Sequence, residues 1–415
     1  MRLRDDCDRI VTQSIRRVQP RQAVQRALAD RSFPGGQLLV VAVGKAAWAM
    51  ASAAFEQLGR KITGGIIITK YDHSQGAVGD LEIWEAGHPV PDENTFKATR
   101  RALELTEGLT EKDTVLFLLS GGGSALFEAP LIAQAELLQL TKDLLACGAD
   151  IVEINTLRKR MSGVKGGRFA LHCAPAHVFS VVLSDIIGDP LDMIASGPAY
   201  PDSSTAQDAK QVVEKYRLTL SEKALEYLEQ ETPKSLDNVE TVITGSVREL
   251  CEAAAAACES LGYKATVLTD CLTCQARDAG AFLAAIAQYH QITDQSLAFL
   301  AGGETLVTLT GKGLGGRNQE IALGAASLLS GTHETAVFSF GSDGTDGPTD
   351  AAGGFVTSNT CNQLKEQGIS PFEVLRNNDA YHALKACDGL IITGATGTNV
   401  NDVACVLIRR PRLLP

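Results

Sequence analysis

The amino-acid sequence predicts an α/β protein made of two domains. Its 415 residues are too many for one ordinary hydrophobic core. Short, nearly all-apolar segments alternate with longer segments whose apolar residues recur at helical spacing, which is typical of largely parallel sheets flanked by helices. Turn-forming residues cluster at both ends of a polar stretch at residues 200–238. We therefore predict domains of residues 1–238 and 239–415.

The elements of the first half follow each other in the order expected for a parallel sheet. A helical pattern covers residues 5–28, and the run QLLVVAV that follows is apolar on both faces, as a buried parallel strand requires. Strands are predicted at residues 37–43, 65–69, 114–119 and 177–183, and helices at residues 45–58, 93–109 and 130–147.

The same rhythm starts again in the second half. Strands are predicted at residues 239–244, 264–268, 296–301, 305–310, 336–340, 389–393 and 403–408. Helices are predicted at residues 247–261, 275–287 and 317–329.

The composition excludes several classes of protein. Lys and Arg number 38 against 49 for Asp and Glu, and the net charge of -11 argues against nucleic acid or an anionic membrane as the main partner. The longest apolar stretches are far below the ~20 residues of a membrane-spanning helix. The charged start of the sequence lacks the apolar core of a signal peptide, and the 10 scattered cysteines are typical of reduced thiols. We expect a cytoplasmic protein.

The single CxxC motif, Cys271 and Cys274, does not indicate a zinc site. One pair of thiolates cannot complete a four-ligand site, and no second pair is evident. We interpret this pair as structural or inert.

The loops that follow strands are the best candidates for a ligand site, because parallel α/β sheets bind ligands at the carboxyl ends of their strands. Lys45 opens a helix directly after the first strand, where helix amides and a cation both favour an anion. The alternative is a solvated lysine. The loop is not a Walker A motif, since Ala46 follows the lysine, and it is a poor dinucleotide fingerprint, since the next strand ends in Lys70 without an acid.

A glycine-rich loop follows the strand at residues 114–119. It consists of Ser120, Gly121, Gly122, Gly123 and Ser124. Three glycines leave several backbone N–H groups uncovered, which predicts a nest for a phosphate or a carboxylate. The alternative is a flexible turn.

Acidic residues follow the strand at residues 177–183. Asp185 and Asp189 are suited to magnesium ligation or to proton abstraction from a hydroxyl. The alternatives are that Asp189 starts a turn before Pro190 and that Asp192 caps a helix.

In the second half, polar loops again follow predicted strands. Glu304 follows the strand predicted at residues 296–301. A glycine-rich stretch leads to Arg317, whose planar guanidinium can bind an anion with two hydrogen bonds. Asp343 and Asn399 lie in two later loops. The alternatives are a hairpin turn with a surface helix and ordinary turn chemistry.

Histidines carry little information singly. His88, in the segment GHPVPD, is interpreted as bracing a loop, and His382 as a structural residue of a helix.

Seven of these segments together resemble one family. They are GHPVPDENT (87–95), LLSGGGSAL (118–126), INTLRKRMSGVKGGR (154–168), LSDIIGDPLDMIASGP (183–198), GGETLVTLTGKGLGGRNQEIAL (302–323), SDGTDGPTDAAG (342–353) and TGATGTNVND (393–402). The chain resembles the glycerate 2-kinases with a MOFRL C-terminal domain, a family in which a tartrate-utilisation protein is often labelled a hydroxypyruvate reductase. The similarity runs in matching order over nearly the whole chain. Val247 and the pair Cys274-Gln275 depart from the family pattern, which bears on fine specificity.

The resemblance implies a fold and a reaction. It implies a Rossmann-like N-terminal domain, a smaller MOFRL-type α/β domain, and an active site in the interdomain cleft. The reaction would transfer the γ-phosphoryl group of ATP to the 2-hydroxyl of D-glycerate, giving 2-phosphoglycerate, with magnesium (Mg2+) as cofactor. The partners would be these small molecules, without nucleic acid or membrane, and a homodimer is left open.

The roles of individual residues follow from the chemistry of phosphoryl transfer and, for Glu304, Asp343 and Asn399, from the match to the family. Lys45, Asp185 and Arg317 would be catalytic, with Asp185 as the base and Asp189 the second choice. Substrate and phosphate contacts would come from Ser120, Gly121, Gly122, Gly123, Ser124, Lys165, Arg168, Asp189 and Asn399, and metal contacts from Glu304 and Asp343. Which acid is the base and which binds the metal stays open.

Two other functions compete with the kinase. An NAD(P)H-dependent hydroxypyruvate reductase needs a nicotinamide site that the sequence does not clearly provide. A non-catalytic binder of small hydroxy acids would be stabilised by glycerate without releasing ADP.

Overall fold

The computed structural model describes residues 3–411, which divide into two compact units. One unit is formed by residues 20–244, and the other joins residues 3–19 to residues 245–411. Among the described residues, no helix has the length and apolarity needed to cross a membrane.

The first unit is built on a sheet of buried strands. In the described residues its strands are β1 (Leu38–Val43), β2 (Gly64–Lys70), β3 (Glu82–Ala86), β4 (Thr114–Leu119), β5 (His177–Leu183) and β6 (Val239–Gly245), ordered β3-β2-β1-β4-β5-β6. Strands β1 to β5 pair in parallel. Every residue of β1 and β4 is buried, as their continuous apolar sequences predict. The carboxyl ends of these strands lie at one edge of the sheet.

The helices of the first half, in chain order, are α1 (Leu3–Arg17), α2 (Pro20–Leu28), α3 (Ala47–Leu58), α4 (Glu93–Leu105), α5 (Gly123–Leu126), α6 (Gln134–Ala146), α7 (Ile151–Arg160), α8 (Arg168–Cys173), α9 (Ala206–Tyr216) and α10 (Glu222–Glu229). The single helical pattern predicted at residues 5–28 is divided because Pro20 opens a new helix. Capping boxes at Asp92 and Asp150 start α4 and α7, which satisfies their first N–H groups.

The second unit has a mixed sheet. Its described strands are β7 (Lys264–Leu272), β8 (Leu297–Gly303), β9 (Thr335–Gly341), β10 (Gly353–Thr357), β11 (Leu390–Ile391) and β12 (Asp402–Ile408), ordered β11-β10-β9-β12-β8-β7. Its helices are α11 (Val247–Ser260), α12 (Ala276–Tyr289), α13 (Arg317–Leu329), α14 (Thr360–Glu366), α15 (Pro371–Arg376) and α16 (Ala380–Ala386).

The strand directions of this second sheet differ from those of the parallel sheet in the first unit. Among the described strands of this second sheet, only β7 and β8 pair in parallel, and β12 runs antiparallel to both β8 and β9. Between β9 and β10 there is a loop without a helix, so the two strands pair as antiparallel neighbours.

The compact units differ from the predicted domains of residues 1–238 and 239–415. Strand β6 belongs to the first unit, where Val178 N donates to Asn238 O at 2.7 Å. The polar stretch before it is not a linker, because Ala209 of α9 and Leu228 of α10 pack in one buried cluster with Leu157 of α7. The first two and last four residues of the predicted ranges lie outside the described residues.

Helix α1 belongs to the second unit, although the sequence begins with it. Ile10 and Val11 are buried in one cluster with Leu250 and Phe338. The buried Asp6 accepts hydrogen bonds from Tyr263 Oη at 2.6 Å and from Arg409 Nη1 at 2.9 Å. The amphipathic pattern predicts this helix, but nothing local in it identifies the unit it packs on.

The strand predicted at residues 305–310 is a loop. Its only ladder contact is an isolated bridge between Leu306 and Gln275. Leu309 is 80% exposed, so the apolar residues of this segment do not line a sheet face. The alternation of Thr with Leu and Val imitates a strand without burying one side.

Candidate active site

The loops after β1 and β4 are joined by hydrogen bonds at the carboxyl edge of the parallel sheet. Lys45 N donates to Gly121 O at 2.9 Å, and Ala46 N donates to Ser120 Oγ at 3.1 Å. Lys45 itself is exposed. The two loops therefore form one surface, with the lysine side chain at its rim.

Glycine is required where the two loops approach each other. Gly44 has a φ of 120°, and a methyl group built on it would lie 2.2 Å from Ser120 Oγ. Gly122 has a φ of 88°, and a methyl group there would lie 3.1 Å from the His88 ring and 3.2 Å from Lys45 Cγ. The absence of side chains lets the backbone lie between His88 and Lys45.

Asp185 reaches the same loop from the end of β5. A methyl group built on Gly121 would lie 2.2 Å from Asp185 Oδ2. The structure thus brings Lys45, Asp185 and the glycine-rich loop of residues 120–124 together at one edge of the sheet. An acid, a cation and backbone N–H groups converge there, as phosphoryl transfer to a hydroxyl requires.

His88 is a further residue of this group. Burial, and next the positive charge of Lys45, hold the pKa of His88 below its ordinary value. The imidazole is therefore favoured in its neutral form beside the loop. The sequence indicated only a brace here, although the segment GHPVPD was itself a signal.

Asp189 has a strained backbone conformation and one carboxylate oxygen without a hydrogen bond among the described residues. Its φ of 50° lies in the left-handed region, which non-glycine residues rarely adopt. Its Oδ1 atom is buried and has no hydrogen-bond partner among the described residues. Such an oxygen is available to a ligand's donor or to a cation.

A chain of polar side chains extends from the glycine-rich loop. Ser124 Oγ lies 3.2 Å from Ser196 Oγ, which donates to Asn155 Oδ1 at 2.8 Å. Ser196 has a φ of 62°, a strained conformation that turns its hydroxyl toward both partners. This chain connects the loop to helix α7, and neither Ser196 nor Asn155 was singled out from the sequence.

Lys165 and Arg168 are not brought to this surface as predicted. Lys165 is fully buried, and its Nζ donates to the carbonyls of Ser124 and Phe127, each at 2.9 Å. Burial lowers the pKa of Lys165 to about 8. The lysine therefore braces the loop from beneath instead of holding a ligand.

Arg168 also has an internal role. Its Nη1 donates to the carbonyls of Lys159, Arg160 and Ser162 at 3.1, 3.1 and 2.6 Å. These carbonyls are at the end of α7, where backbone acceptors lack helical partners. The arginine caps the helix, which corrects its predicted contact with phosphate or carboxylate.

A second polar cluster occupies one edge of the mixed sheet. Arg317 donates from Nε to Asp402 Oδ2 at 2.5 Å, from Nη2 to Asp402 Oδ1 at 3.2 Å, and from Nη1 to Glu304 Oε1 at 2.6 Å. The guanidinium fork predicted to grip an anion is therefore occupied by two carboxylates of the same chain. The ion pairs hold the pKa of Arg317 above its ordinary value even though burial opposes this.

Asp402 is the centre of this cluster. Strand register places it beside Gly303 of β8 and Gly341 of β9. Burial raises its pKa to about 6, and Arg317 offsets only part of that effect. It is the acid that ends the polar segment at residues 393–402, and the antiparallel direction of β12 brings it to the edge where β8 and β9 end.

The start of α13 is also filled by a carboxylate. Asp346 Oδ1 accepts from Asn318 N at 3.1 Å, and Oδ2 accepts from Gln319 N at 2.8 Å. A carboxylate stabilises a helix N-terminus through these amides and the helix dipole. The backbone amides of Asn318 and Gln319 are therefore satisfied within the chain.

The predicted metal ligands are only partly available. Glu304 is ion-paired with Arg317. Asp343 Oδ1 accepts a hydrogen bond from Thr345 N at 3.0 Å, which leaves the second carboxylate oxygen of Asp343 available to a ligand. The described residues contain no group of three or more His, Cys, Asp or Glu placed to hold a metal. One carboxylate oxygen fits magnesium that arrives with nucleotide phosphates, which needs few protein ligands. Asn399 Oδ1 accepts from Asn401 N at 3.3 Å, a turn contact.

Two family models match the chain. Residues 6–229 match the model described as "Domain of unknown function (DUF4147)", and residues 297–402 match that of the MOFRL family. The first model covers more than half of the chain, and the second covers the mixed sheet from β8 to the start of β12.

Named relatives match this chain over almost its whole length. A D-glycerate 2-kinase of Thermotoga maritima is 53% identical over 96% of this chain and 97% of its own length. A protein of Agrobacterium vitis with the provisional name hydroxypyruvate reductase is 37% identical over 96% of this chain and 93% of its own. The crystal structure of a glycerate kinase from Thermotoga maritima has a TM-score of 0.93 and 51% identity, covering 98% of this chain and 99% of that one.

Proposed function

Because the chain belongs to the glycerate 2-kinase family with DUF4147 and MOFRL domains, we propose that it phosphorylates D-glycerate with ATP, giving 2-phosphoglycerate and ADP. The observation that carries this proposal is the convergence of Asp185 and Lys45 on the glycine-rich loop after β4. Such a surface supplies a base, a fixed positive charge and backbone donors, which are the main requirements of phosphoryl transfer.

Asp185 is the residue proposed to accept the proton. The 2-hydroxyl oxygen of glycerate forms a bond to the γ-phosphorus of ATP while the bond from that phosphorus to the β,γ-bridging oxygen breaks. The hydroxyl proton passes to Asp185, and ADP leaves with the bridging oxygen. Asp189, with one buried and unbonded carboxylate oxygen, is the second choice for this role.

Lys45 is proposed to neutralise charge that develops on the transferring group. It is exposed beside Gly122, so its side chain can reach a phosphate bound at the glycine-rich loop. A preorganised cation contributes because it needs no reorganisation during the reaction.

Arg317 is proposed as a positioning residue. It holds Asp402 with two hydrogen bonds and Glu304 with a third, so it fixes the acidic edge near Asp343. Magnesium bound to ATP would supply further neutralisation of the phosphates, with Asp343 as its protein ligand. Asn399 is proposed to shape the adjacent turn.

An assay of ADP release tests the proposal. The enzyme is incubated with ATP and magnesium, with and without D-glycerate, and ADP is measured by a coupled reaction. The proposal expects ADP formation that depends on both glycerate and magnesium. ADP release that does not depend on glycerate would indicate an ATPase instead. No ADP release despite thermal stabilisation by glycerate would indicate a non-catalytic binding protein.

The Agrobacterium vitis relative's name makes a reductase the second candidate. The same preparation is therefore incubated with hydroxypyruvate and NADH, or NADPH, and followed at the nicotinamide absorbance. We expect no steady turnover. Sustained oxidation of the nicotinamide would favour the reductase instead.

We further propose that the protein works in the cytoplasm on small molecules. All ten cysteines of the described residues are free thiols, and several are buried, which suits a reducing compartment. A homodimer stays a prediction that sedimentation analysis can measure.

A further inference from the structure

Basic side chains are dense between residues 158 and 168. They belong to Arg158, Lys159, Arg160, Lys165 and Arg168. Lys165 and Arg168 are held by backbone carbonyls, as described above. Lys159 is buried between two carboxylates, with its Nζ 3.1 Å from Asp192 Oδ2 and 3.0 Å from Asp202 Oδ1. Three of the five cations thus have internal partners that account for them.

Arg160 is a fourth such cation, and Arg158 differs from all of them. Arg160 is fully buried and donates to the carbonyl oxygens of Gln230 and Ser204. Arg158 is only partly exposed, yet within residues 3–411 it has no ion pair and no hydrogen bond. Burial lowers the pKa of Arg158, and the charge of Glu128 opposes that effect. A desolvated guanidinium without an acceptor is costly unless an anion completes it.

The charges around Arg158 do not balance. Glu128 is buried, with Oε2 at 3.7 Å from Lys165 Nζ, while its Oε1 has no hydrogen-bond partner in the described structure. One carboxylate therefore faces two cations, Lys165 and Arg158. Since Lys165 is enclosed by carbonyls, the excess positive charge is presented by Arg158.

Arg158 lies close to the candidate site. It follows Asn155 on α7 by three residues, so the two side chains share a helix face with their Cβ atoms about 5–6 Å apart. Asn155 is tied through Ser196 to Ser124 of the glycine-rich loop. The face of α7 that carries Arg158 is therefore the face connected to the loop where Asp185 and Lys45 converge.

We propose that Arg158 binds the carboxylate of the small 2-hydroxy acid substrate. Its planar fork presents two N–H donors to the two carboxylate oxygens, an arrangement that an ammonium cannot reproduce. This inference rests on the proposed function and adds to it the residue that distinguishes an acid from a neutral polyol. It also replaces the anion contact that the sequence assigned to Lys165 and Arg168.

The test compares Arg158→Met and Arg158→Lys with the wild-type protein. Arg100→Met is the matched control, because Arg100 is an exposed arginine of the same unit. Losing a charge-assisted bidentate contact is expected to raise the KM for D-glycerate roughly 10- to 100-fold. The KM for ATP and the Tm should change little, Arg158→Lys should recover only part of the loss, and Arg100→Met should match the wild type.

A neutral ligand separates carboxylate binding from other effects. Glyceramide has the size and hydroxyls of glycerate but no carboxylate. The wild type should bind D-glycerate more tightly than glyceramide, and Arg158→Met should lose that preference while its affinity for glyceramide stays the same. An unchanged preference in Arg158→Met would overturn the proposal, as would a lowered Tm with an unchanged KM, which would make Arg158 a structural partner of Glu128.

Failure of the proposed function is distinguishable from failure of this inference. If the wild type forms no ADP with glycerate, calorimetric binding of D-glycerate, D-lactate and glycolate is compared between the wild type and Arg158→Met. Binding that disappears only in the variant retains Arg158 as a carboxylate site without the kinase. Equal binding in both proteins, or no binding of any of the three to the wild type, overturns it.

Discussion

Lys45 lies alone at the rim of the glycine-rich loop, exposed and beside Gly122 and His88. Lys45→Ala is predicted to lower kcat about 10²- to 10³-fold, the usual effect of losing a preorganised charge at a transferring group. The Tm should stay unchanged because the side chain is not packed. Steady-state kinetics and thermal unfolding measure both, with the exposed Lys112→Ala as control. Unchanged turnover would return Lys45 to the role of a solvated lysine.

His88 reports directly on its distance from Lys45. Burial and the lysine charge together depress the pKa of His88, so stability linked to it is present above its ordinary pKa of about 6.5 and is lost as the pH falls through the depressed value. Lys45→Met removes the charge but not the burial. An NMR titration should therefore find the pKa of His88 below its ordinary value in the wild type and partly restored in the variant. Identical pKa values in both would show that the two side chains are not neighbours.

Arg317 and Asp402 are predicted to be coupled in stability. Arg317→Ala leaves the buried Asp402 without its cation, and should cost about 2–3 kcal/mol, less than the ~3–5 kcal/mol of a fully buried pair because Arg317 is partly exposed. Asp402→Asn in the same chain should recover part of that loss. Denaturant unfolding of the two single variants and the double variant forms the cycle. Additive effects would mean that the pair contributes no coupling.

Residue-scale features were predictable where the chemistry is local. Glycines after a buried strand indicate close backbone approach, and Lys45 and Asp185 follow strands whose ends must share an edge. The partners of Lys165 and Arg317 were not predictable, because carbonyls and carboxylates distant in sequence surround them. The carbonyls that hold Arg168 are near it in sequence, but they lack helical partners only because α7 ends there. The sequence around a basic residue in a loop does not show whether its side chain contacts a ligand or other parts of the chain.

Contacts with residues distant in sequence determine that helix α1 belongs to the second unit. Ile10 is completely buried in the second unit's core, so Ile10→Ala should cost about 2–5 kcal/mol of that unit's free energy of unfolding. Hydrogen exchange should show the loss in α1 and in α11, which packs on it. Ile292→Ala, at a 98% exposed position of the same unit, is the control. Loss of protection confined to residues 20–244 would contradict the assignment of α1.

Central strands were predicted well and strand directions less well. β4 and β5 begin and end at the predicted residues, because a strand buried on both faces has a continuous apolar sequence. Direction depends on what joins two strands, and the loop between β9 and β10 was interpreted as a polar site loop rather than as the turn of a hairpin. No strand was predicted at β10, so the strand predicted at residues 389–393, which contains β11, was left without its partner.

For the whole molecule, the family could be predicted from seven polar segments in matching order, and both family models and full-length relatives agree with it. The division into units could not be predicted from the sequence, because the polar stretch at residues 200–238 contains two helices whose apolar faces are buried. Polarity on one face of a helix resembles a linker when only composition is considered.

Identification of the product shows whether the protein phosphorylates the 2-hydroxyl of D-glycerate. The protein is incubated with D-glycerate, ATP and magnesium, and the phosphorylated product is examined by phosphorus NMR and by its conversion with enolase, which accepts 2-phosphoglycerate but not the 3-isomer. We expect 2-phosphoglycerate in an amount equal to ADP from the wild-type protein, and none from the Asp185→Asn variant. 3-Phosphoglycerate as the first product, or ADP without any phosphorylated glycerate, would contradict it.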